Sequence, residues 1–409
     1  MKVLQINKYF YPKGGSETVF FQTIELLEAH GHQVIPFCIH HPQNRRTPYD
    51  AYFANYAEPS QSGFLTKLRQ APSFFYNRSA AKQLDRLLRR EKPDIAHIHL
   101  LFNSLSVSIL PVLRKHRVPV VMTAHDHRLI CPAYLFLDGK GRICEQCRGD
   151  RYYQCLIRRC SKGSLFNSLM LTLDSYFRKY IISPFTYVDR FIFVGRFAYG
   201  KHMEFSSRYE GRSSVLFNFT LMAPEKAPEK EDYLLYLGRI SEEKGIPVLM
   251  KAVEALPGVR LKIAGTGPLL DTLKAQSRPN IEFTGFLSGE ALRDVIRKAR
   301  FVVVPSEWYE NNTLVIIEAY TLGTPAIGSR IGGIPEFIED GVNGFLFEPS
   351  SVEQLKQTIT KALSLFPEAY AAMCGEAQSF ARRHFAGEAY YQKLITLYNE
   401  VIHYNKERL

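Results

Sequence analysis

Short apolar runs that contain Val and Ile alternate with helical patterns along the first half of the chain. The runs are KVLQIN, QVIPFCI, DIAHIHL, PVVMTAH and RFIFVG. Helical patterns separate them at 16–30, 78–91 and 104–116. Strands that are apolar on both faces are typical of a parallel sheet covered by helices on each side. The first half therefore predicts a domain of repeated strand–helix–strand units.

A second strand–helix series follows the charged, proline-containing segment MAPEKAPEKED at 222–232. Its strand-like runs are YLLYLGR, RLKIAG, IEFTGF, FVVVPS, PAIGS and GFLFEP. Two strand sets joined by such a linker predict two Rossmann-like, doubly wound α/β domains, over 1–217 and 218–385. The last helix, within 386–409, carries several tyrosines, and we expect it to cross back and pack on the first domain.

Ligands of open parallel sheets bind beyond the carboxyl ends of the strands. Two such sheets that face each other predict a deep cleft between the domains. The functional residues are therefore expected in the segments that follow the strands.

Composition and charge narrow the class of protein. Of the 409 residues, 46 % are hydrophobic and 22 % are charged, as in ordinary globular proteins. Because no apolar run reaches about 20 residues and the start lacks a signal-peptide core, we expect a cytoplasmic protein. Residues 1–217 hold 31 Lys and Arg against 16 Asp and Glu, which predicts an anionic partner. No nucleic-acid-binding signature occurs in the sequence, so nucleic acid is not expected in that role.

Two cations follow a predicted strand and precede a helix in YLGRISEEKG: Arg239 and Lys244. Ser241 is the expected N-cap, which places Lys244 at the third helical position. Cations beside the amide end of a helix are typical of a diphosphate site. Taken alone, the pattern also fits a solvated basic turn.

The segment PSEWYENNTLVIIEAY predicts a strand end, a loop and a helix that begins near Asn312 or Thr313. Glu310 lies in the loop, and Glu318 lies about one and a half turns into the helix. A carboxylate accepts hydrogen bonds from two ribose hydroxyls, and the first helical amides bind phosphate. The residues predicted here to bind a nucleotide are Asn311, Asn312, Thr313, Leu314 and Glu318. Two surface glutamates on an ordinary helix are the alternative.

Several motifs occur together along the chain: PKGGSE, TAHDHRLICP, GRISEEKG, AGTGP, FTGF, two glutamates separated by seven residues, and GGIPEFIEDGVNGFLF. In this combination and order, the sequence resembles family 4 of the retaining glycosyltransferases over essentially its whole length. The resemblance implies the GT-B fold and a nucleotide-diphosphate sugar as donor. It also implies transfer of a hexosyl unit with retention of configuration and no metal in the transfer step.

The resemblance further implies roles for individual residues. Arg239 and Lys244 would hold the diphosphate and neutralise the charge that develops as the sugar departs. Glu318 would hold the ribose, and Glu310 would lie beside the hydroxyls of the transferred sugar. His125, at the end of PVVMTAH, would contact the donor sugar.

Glycines complete the predicted donor site. Gly14 and Gly15 follow the first strand, where glycine lets backbone amides approach phosphate or sugar oxygens closely; a simple tight turn is the alternative. By resemblance, Gly265 and Gly267 line the same crevice. The loop with Gly285 and Phe286 would flank the base.

Four cysteines lie within seventeen residues, Cys144, Cys147, Cys155 and Cys160, in a segment (131–160) that we interpret as an insertion into the first domain. Four thiolates at this spacing fit a structural zinc ion. A set of reduced thiols fits equally well, and an iron–sulfur cluster fits less well. In each case we expect a structural role only.

Basic and aromatic residues share two segments of the first domain, 64–78 and 151–185. Such segments bind the headgroups of anionic membranes, although solvated helices are the alternative. We therefore expect peripheral contact with the inner face of an anionic membrane. The expected acceptor is a glycan or a lipid-linked molecule, as in the synthesis of cell-surface polysaccharide or lipopolysaccharide.

Two other functional classes fit parts of the pattern. One is a nucleotide-sugar epimerase or a phosphorylase with the same two-domain architecture, and the other is a non-catalytic protein that binds lipid or nucleic acid. A phosphorylase requires a cofactor-bearing lysine pattern that the sequence lacks. An inert binding protein has no need to keep Arg239, Lys244, Glu310 and Glu318 together.

Overall fold

The computed structural model describes residues 1–56, 72–224 and 230–407. The chain forms two compact units. The first contains Met1–Val194, Ala198–Leu216 and Tyr390–Leu409, and the second contains Gly195–Phe197 and Phe217–Ala389. The sequence placed the domain limits after residues 217 and 385. The small contribution of Gly195–Phe197 to the second unit was not foreseen. Residues 225–229 of the predicted linker and most of the basic segment 64–78 lie outside the described residues.

The first unit is built on six parallel strands in the order β2-β1-β3-β4-β5-β6. The strands are β1 (Lys2–Ile6), β2 (Gln33–Phe37), β3 (Ile95–Ile98), β4 (Val120–Ala124), β5 (Arg190–Phe193) and β6 (Ser213–Val215). The helices are α1 (Gly15–Ala29), α2 (Arg78–Glu91), α3 (Ile109–Lys115), α4 (Tyr153–Ile157), α5 (Leu165–Tyr180), α6 (Pro184–Tyr187) and α7 (Arg196–Phe205), whose residues from Ala198 onward belong here. Every residue of β3 and β4 is buried, as expected for a sheet covered on both faces.

The second unit also has six parallel strands, in the order β12-β11-β10-β7-β8-β9. The strands are β7 (Tyr233–Leu237), β8 (Arg260–Ala264), β9 (Ile281–Gly285), β10 (Phe301–Val304), β11 (Ala326–Ser329) and β12 (Gly344–Phe347). The helices are α8 (Ile246–Glu254), α9 (Leu270–Gln276), α10 (Gly289–Lys298), α11 (Leu314–Thr321), α12 (Val352–Leu363) and α13 (Pro367–His384).

Both faces of the second sheet carry their own apolar core. Along β7, Leu234 and Tyr236 belong to one buried cluster, whereas Tyr233 and Leu235 belong to another. Successive side chains of a strand point to opposite faces, so the two clusters lie on opposite sides of the sheet. Numbered within the unit, the strand order is the Rossmann order 3-2-1-4-5-6. The predicted α/β class with two Rossmann-like sheets is confirmed.

The last helix, α14 (Gly387–Glu407), belongs to the first unit from Tyr390 onward. Tyr390 and Tyr398 are buried, and the hydroxyl of Tyr391 lies 2.8 Å from Nε2 of His32. The tyrosine-rich helix therefore packs on the amino-terminal unit, as the sequence predicted.

The helix predicted to open at Ser241 begins later than expected. Residues Glu242–Lys244 form a single 3-10 turn, Gly245 adopts a φ of 67°, and α8 starts at Ile246. The hydroxyl of Ser241 donates to Oε1 of Glu243 over 2.7 Å instead of capping a helix. A Cβ on Gly245 would lie 1.8 Å from the carbonyl oxygen of Pro305. Ser241 is the N-cap of this 3-10 turn and Lys244 is its third residue, as predicted, but the α-helix starts later because the close approach of two loops imposes the left-handed turn at Gly245.

Candidate functional site

The strands β7 and β10 are neighbours in the second sheet although two strands separate them in sequence. This is the point at which the strand order reverses, where open α/β sheets bind ligands beyond the strand ends. Arg239 and Lys244 follow β7, and Glu310 follows β10. The topology therefore collects the two predicted cations and one predicted carboxylate at one edge of the sheet.

Lys244 and Glu310 form an ion pair in which Nζ lies 2.6 Å from Oε1. The same carboxylate oxygen accepts hydrogen bonds from the hydroxyl of Ser306 (2.7 Å) and from the indole nitrogen of Trp308 (2.9 Å). Lys244 Nζ also lies 5.0 Å from the centre of the Trp308 ring. Burial opposes ionisation of Glu310, but the charge of Lys244 and the three donors outweigh it and lower the pKa of Glu310. The site thus holds a buried, ionised carboxylate next to a cation.

Arg239 differs from Lys244 because its side chain is exposed and makes no ion pair with the residues that the structure describes. Its backbone is held in place, since the Tyr236 hydroxyl donates to the Arg239 carbonyl over 2.8 Å. A fixed backbone with a solvated guanidinium leaves this cation able to bind an anion from solution. At the strand ends, Lys244 is therefore held in an ion pair with Glu310, whereas Arg239 is exposed.

Glycine backbones pack directly against one another beside these cations. A Cβ on Gly265 would lie 1.9 Å from the oxygen of Gly238, and a Cβ on Gly267 would lie 2.2 Å from the oxygen of Ile240. Gly265 has a φ of 148°, and its amide donates to the oxygen of Gly285 over 2.7 Å. The segments after β7, β8 and β9 are therefore joined backbone to backbone, which only glycine permits. Phe286, next in the chain, is 73 % exposed.

Glu318 lies on α11, which begins at Leu314 after the N-cap Thr313. No hydrogen bond or ion pair joins its side chain to Arg239, Lys244 or Glu310. Burial raises the pKa of Glu318 to about 7. The side chain of Thr313 makes no capping hydrogen bond, so the first amides of α11 are not satisfied by their own N-cap. The two predicted glutamates therefore differ in ionisation. The pKa of Glu310 is lowered, whereas the pKa of Glu318 is about 7.

Four residues of this region were missed as site residues by the sequence reasoning. Ser306 and Trp308 donate hydrogen bonds to the Glu310 carboxylate and add to the larger effect of Lys244 on its pKa. The other two are Gly332 and Gly333, where a Cβ would lie 2.6 Å from the nitrogen of Glu310 and 2.4 Å from the oxygen of Asn311. The Gly333 amide donates to the backbone carbonyl oxygen of Glu310 over 2.7 Å. Both glycines belong to the motif GGIPE, but the sequence did not show that they would pack on the loop with Glu310 and Asn311.

The predicted residues of the first unit follow strands of the other sheet. Gly14 is the N-cap of α1 and Gly15 is its first residue. Gly14 has an extended backbone, and a Cβ there would make only an ordinary contact, 3.6 Å from Oε2 of Glu17. Glu17 is itself buried, which raises its pKa. The structure therefore shows no steric need for glycine at position 14, and its contact with a ligand stays a prediction.

His125 follows β4 and is partly exposed. Its Nε2 lies 2.9 Å from Nδ1 of His99, and the two rings stack with their centres 5.1 Å apart. Burial lowers the pKa of His125 to about 4, although Asp126 acts in the opposite direction. The ring is therefore neutral near pH 7.

The cysteines of the insertion are all free thiols, and Cys131, Cys147 and Cys155 are buried. A hydrogen bond from Cys155 lowers the pKa of Cys160, whereas burial raises the pKa of Cys131 to about 12. Within the described residues, which include the whole insertion, no three His, Cys, Asp or Glu side chains are arranged to hold a metal ion. The zinc site stays a prediction.

None of the helices that the structure describes has both the length and the apolarity needed to cross a membrane.

Sequence comparison identifies a known family in each half of the chain. The family described as Glycosyltransferase Family 4 matches residues 13–199, and the family described as Glycosyl transferases group 1 matches residues 218–378. An uncharacterized glycosyltransferase of Methanocaldococcus jannaschii is 32 % identical over 172 residues, which make up 38 % of this chain and 44 % of that protein. A sulfoquinovosyl transferase of Arabidopsis thaliana is 37 % identical over 131 residues, 31 % of this chain and 25 % of that protein. These two alignments therefore span less than half of each relative.

A longer alignment exists with an uncharacterized 42.6 kDa protein in the cps region of Klebsiella pneumoniae. It is 24 % identical over 357 residues, 82 % of this chain and 87 % of that protein. Anabaena HepE in complex with UDP and glucose superposes with a TM-score of 0.63 at 17 % identity, covering 97 % of this chain and 99 % of that one. The apo form of the lipopolysaccharide outer core galactosyltransferase WaaB gives 0.60 at 16 % identity, with the same coverage. At these identities the structural likeness concerns the fold, which is GT-B. Since the two family matches fall one in each half of a GT-B chain, the protein belongs to the group 1 glycosyltransferases, with a family 4 amino-terminal domain.

Proposed function

We propose that the protein is a retaining glycosyltransferase that moves a hexosyl unit from a nucleotide-diphosphate sugar to a glycan or lipid-linked acceptor. The observation that carries the proposal is the Lys244–Glu310 pair, with exposed Arg239 nearby in sequence, at the reversal point of a Rossmann-ordered sheet. A diphosphate is the anionic group that such a set of strand ends, cations and helical amides binds best.

The proposed chemistry relies on charge rather than on a nucleophilic side chain. Arg239 and Lys244 bind the diphosphate and stabilise the negative charge that grows on it as the bond to the sugar breaks. In this scheme the two cations supply the charge stabilisation that a bound metal ion can supply in other enzymes. The departing diphosphate oxygen accepts the proton of the acceptor hydroxyl, which attacks from the same face, so configuration is retained.

The remaining residues position the donor. Glu318 binds the ribose hydroxyls, and the first amides of α11, from Thr313 and Leu314, bind phosphate. When Lys244 turns to the diphosphate, Glu310 becomes available to accept hydrogen bonds from the sugar hydroxyls. Asn311 and Asn312 lie between these groups in sequence, and Gly285 and Phe286 flank the base. From the first unit, His125 contacts the sugar, and Gly14 and Gly15 offer backbone amides.

A donor panel tests this function. Purified protein is incubated with UDP- and GDP-hexoses, with and without a membrane extract as acceptor, and the released nucleotide and labelled product are measured. We expect acceptor-dependent release with one donor and an α-linked product from an α-configured donor, as read by NMR. An inverted product would contradict retention. Interconversion of nucleotide sugars without any acceptor would identify an epimerase, and no turnover with any donor would contradict an active transferase.

Helix α5 supports the proposal of a lipid-linked acceptor at an anionic membrane. Leu165, Leu169 and Leu173, at helical spacing, are 55 %, 37 % and 46 % exposed. Its buried residues are polar: Ser168, Thr172, Asp174, Ser175 and Arg178. This is the reverse of the pattern of a helix that packs on an apolar core. A row of exposed leucines marks an interaction surface.

Charge around the leucines favours a bilayer as the partner. Exposed residues next to α5 in the chain include the basic Arg158, Arg159 and Lys162 and the apolar Ile157 and Ile181. An interfacial helix has apolar side chains that enter the headgroup region and flanking cations that bind lipid phosphates. These features support the proposal that the enzyme attaches to the inner face of an anionic membrane.

Vesicle co-sedimentation tests this attachment. We expect binding to vesicles that contain phosphatidylglycerol and little binding to pure phosphatidylcholine. The double variant Leu169→Glu with Leu173→Glu should lower partitioning about tenfold or more, because two leucine side chains leave the interface. Phe366→Glu, at a residue 79 % exposed in the second unit, is the control and should bind normally. Equal binding of all three proteins would contradict the role of α5.

A further inference from the structure

A chain of hydrogen bonds connects His125 to the interior of the first unit. His125 Nε2 lies 2.9 Å from Nδ1 of His99, and His99 Nε2 lies 3.0 Å from Oε1 of Gln5. The Gln5 amide nitrogen donates to the Tyr398 hydroxyl over 3.3 Å. Gln5, His99 and Tyr398 are at most 2 % exposed. These hydrogen bonds therefore connect the partly exposed His125 at a strand end to the buried Tyr398 of the last helix.

The series of hydrogen bonds continues from Tyr398 to a second buried histidine, His97. The Tyr398 hydroxyl lies 2.7 Å from Nδ1 of His97, and His97 Nε2 lies 2.7 Å from the Thr123 hydroxyl. Gln5 on β1 and His97 on β3 are register partners, so the parallel pairing of two strands fixes this geometry. Burial lowers the pKa of His97 to about 3 and that of His99 well below its usual value. Both rings are therefore neutral, and each carries a single proton.

The positions of the protons follow from the chemistry of the amide. The Gln5 carbonyl oxygen accepts only, so His99 must carry its proton on Nε2. Nδ1 of neutral His99 is then an acceptor, and Nε2 of His125 must donate to it. His125 is neutral as well, so its Nδ1 carries no proton.

Bond lengths support this orientation of the Gln5 amide. Hydrogen bonds donated by O–H are shorter than those donated by N–H. Tyr398 has one hydroxyl proton, and its 2.7 Å contact with His97 is the shorter of its two contacts, whereas the contact with Gln5 measures 3.3 Å. The hydroxyl therefore donates to His97 and accepts from Gln5. The opposite orientation would require Tyr398 to donate over the longer distance.

We propose that Gln5 and His99 are positioning residues that set the tautomer of His125, so that its Nε2 donates inward and its Nδ1 only accepts. A group that hydrogen-bonds to Nδ1 must then donate, as a sugar hydroxyl does and as an ether, fluorine or carboxylate does not. This consequence for the donor sugar rests on the proposed function, whereas the tautomer itself does not.

NMR of the ¹⁵N-histidine-labelled protein tests the tautomer without any assay of transfer. Long-range ¹H–¹⁵N correlation distinguishes a protonated from an unprotonated ring nitrogen, and the variants His99→Gln and His125→Gln assign the two residues. Between pH 6 and 8 we expect both rings as the Nε2–H form. An Nδ1–H form of His125, or a mixture of forms, would overturn the proposal even if the protein proves to be an active transferase.

Gln5→Leu tests the positioning role. Without the amide oxygen, His99 is free to carry its proton on either nitrogen, so we expect a mixture of His125 tautomers. We also expect kcat to fall about tenfold, as the loss of one aligned hydrogen bond allows, with the KM of the acceptor unchanged. Thr23→Val is the matched control, because the buried Thr23 hydroxyl donates to the Val19 oxygen over 2.7 Å and lies outside this chain. A single His125 tautomer in Gln5→Leu would refute the role of Gln5. If that variant does not fold, the wild-type spectrum still decides the assignment.

Discussion

Lys244 and Glu310 lie 66 residues apart in the chain, yet their side chains meet at 2.6 Å beyond adjacent parallel strands. The pair neutralises each partner while no donor is bound. In the proposed function, a diphosphate competes for Lys244, and the Glu310 carboxyl, still bonded to Ser306 and Trp308, becomes available to the hydroxyls of the sugar. The proposed function therefore couples donor binding to the availability of Glu310 through this one contact.

The first prediction concerns Glu310→Gln. The amide keeps the shape of the side chain but removes the charge that pairs with Lys244. We expect kcat/KM for the donor to fall about 100-fold, as on removal of one preorganised group at a transition state. Glu353→Gln is the matched control, because it breaks the exposed Glu353–Lys356 pair and should leave activity unchanged. Full activity of Glu310→Gln would refute the assigned role.

The second prediction concerns Arg239→Gln. This exposed side chain makes no ion pair with the described residues, so we expect thermal stability to change little. Affinity for the nucleoside diphosphate should fall about tenfold, because one charge-assisted contact with phosphate is lost. Titration calorimetry measures both this change and that of the control Arg278→Gln, another exposed arginine. Equal losses in the two variants would indicate a non-specific effect of charge.

The third prediction is a pH dependence set by Glu318. Only the ionised carboxyl accepts hydrogen bonds from both ribose hydroxyls, and the pKa of Glu318 is raised to about 7. Nucleotide affinity should therefore weaken as the pH falls from 8 to 6. The dependence should disappear in Glu318→Gln and with a 2′,3′-dideoxynucleotide. A dideoxynucleotide that shows the wild-type dependence would contradict the ribose contact.

The same group predicts a stability effect of opposite sign. Because folding raises the pKa of Glu318 from 4.5 to about 7, the protonated side chain is favoured in the fold. That stabilisation is complete below about pH 4.5 and is lost as the pH rises through about 7. Glu318→Gln should thus raise Tm at pH 8 and change it little at pH 4.5. An equal shift at both pH values would mean that titration of Glu318 is not the cause.

The fourth prediction concerns the glycine contact between the segments after β7 and β8. In Gly265→Ala, a Cβ would lie 1.9 Å from the Gly238 oxygen at a φ of 148°. We expect a loss of about 3 kcal/mol from this overpacking and weaker nucleotide binding. Gly258→Ala is the control, since nothing lies within 4 Å of the added Cβ. Similar unfolding curves for the two variants would contradict the close packing.

The fifth prediction concerns the cysteine insertion. If Cys144, Cys147, Cys155 and Cys160 bind structural zinc, anaerobically purified protein contains about one equivalent, and Cys147→Ser loses it. Cys374→Ser, outside the insertion, should retain it. Elemental analysis that finds less than about 0.2 equivalents in the wild-type protein would refute the site.

Local sequence determined the strands, the helices and the fold class. Runs such as FVVV in β10 are apolar on both faces and form a parallel strand only when helices cover both sides. The end of such a strand is readable from the change in pattern, which is why the sequence predicted correctly that Glu310 and His125 follow strands. The helix boundary near Ser241 was misplaced, because the turn at Gly245 depends on the Pro305 oxygen, 60 residues away in the chain.

Only the tertiary structure decided which side chains meet. The sequence predicted that Lys244 and Glu310 each bind the donor. Their pairing follows from the adjacency of β7 and β10, which is known only from the order of strands in the sheet. Likewise, no connection between His99, which follows β3, and Tyr398 of the last helix was predicted until parallel pairing and the return of that helix placed Gln5 between them. Patterns along the chain report burial and backbone conformation, which are local, whereas hydrogen bonds and charges act between groups that topology brings within about 3 Å.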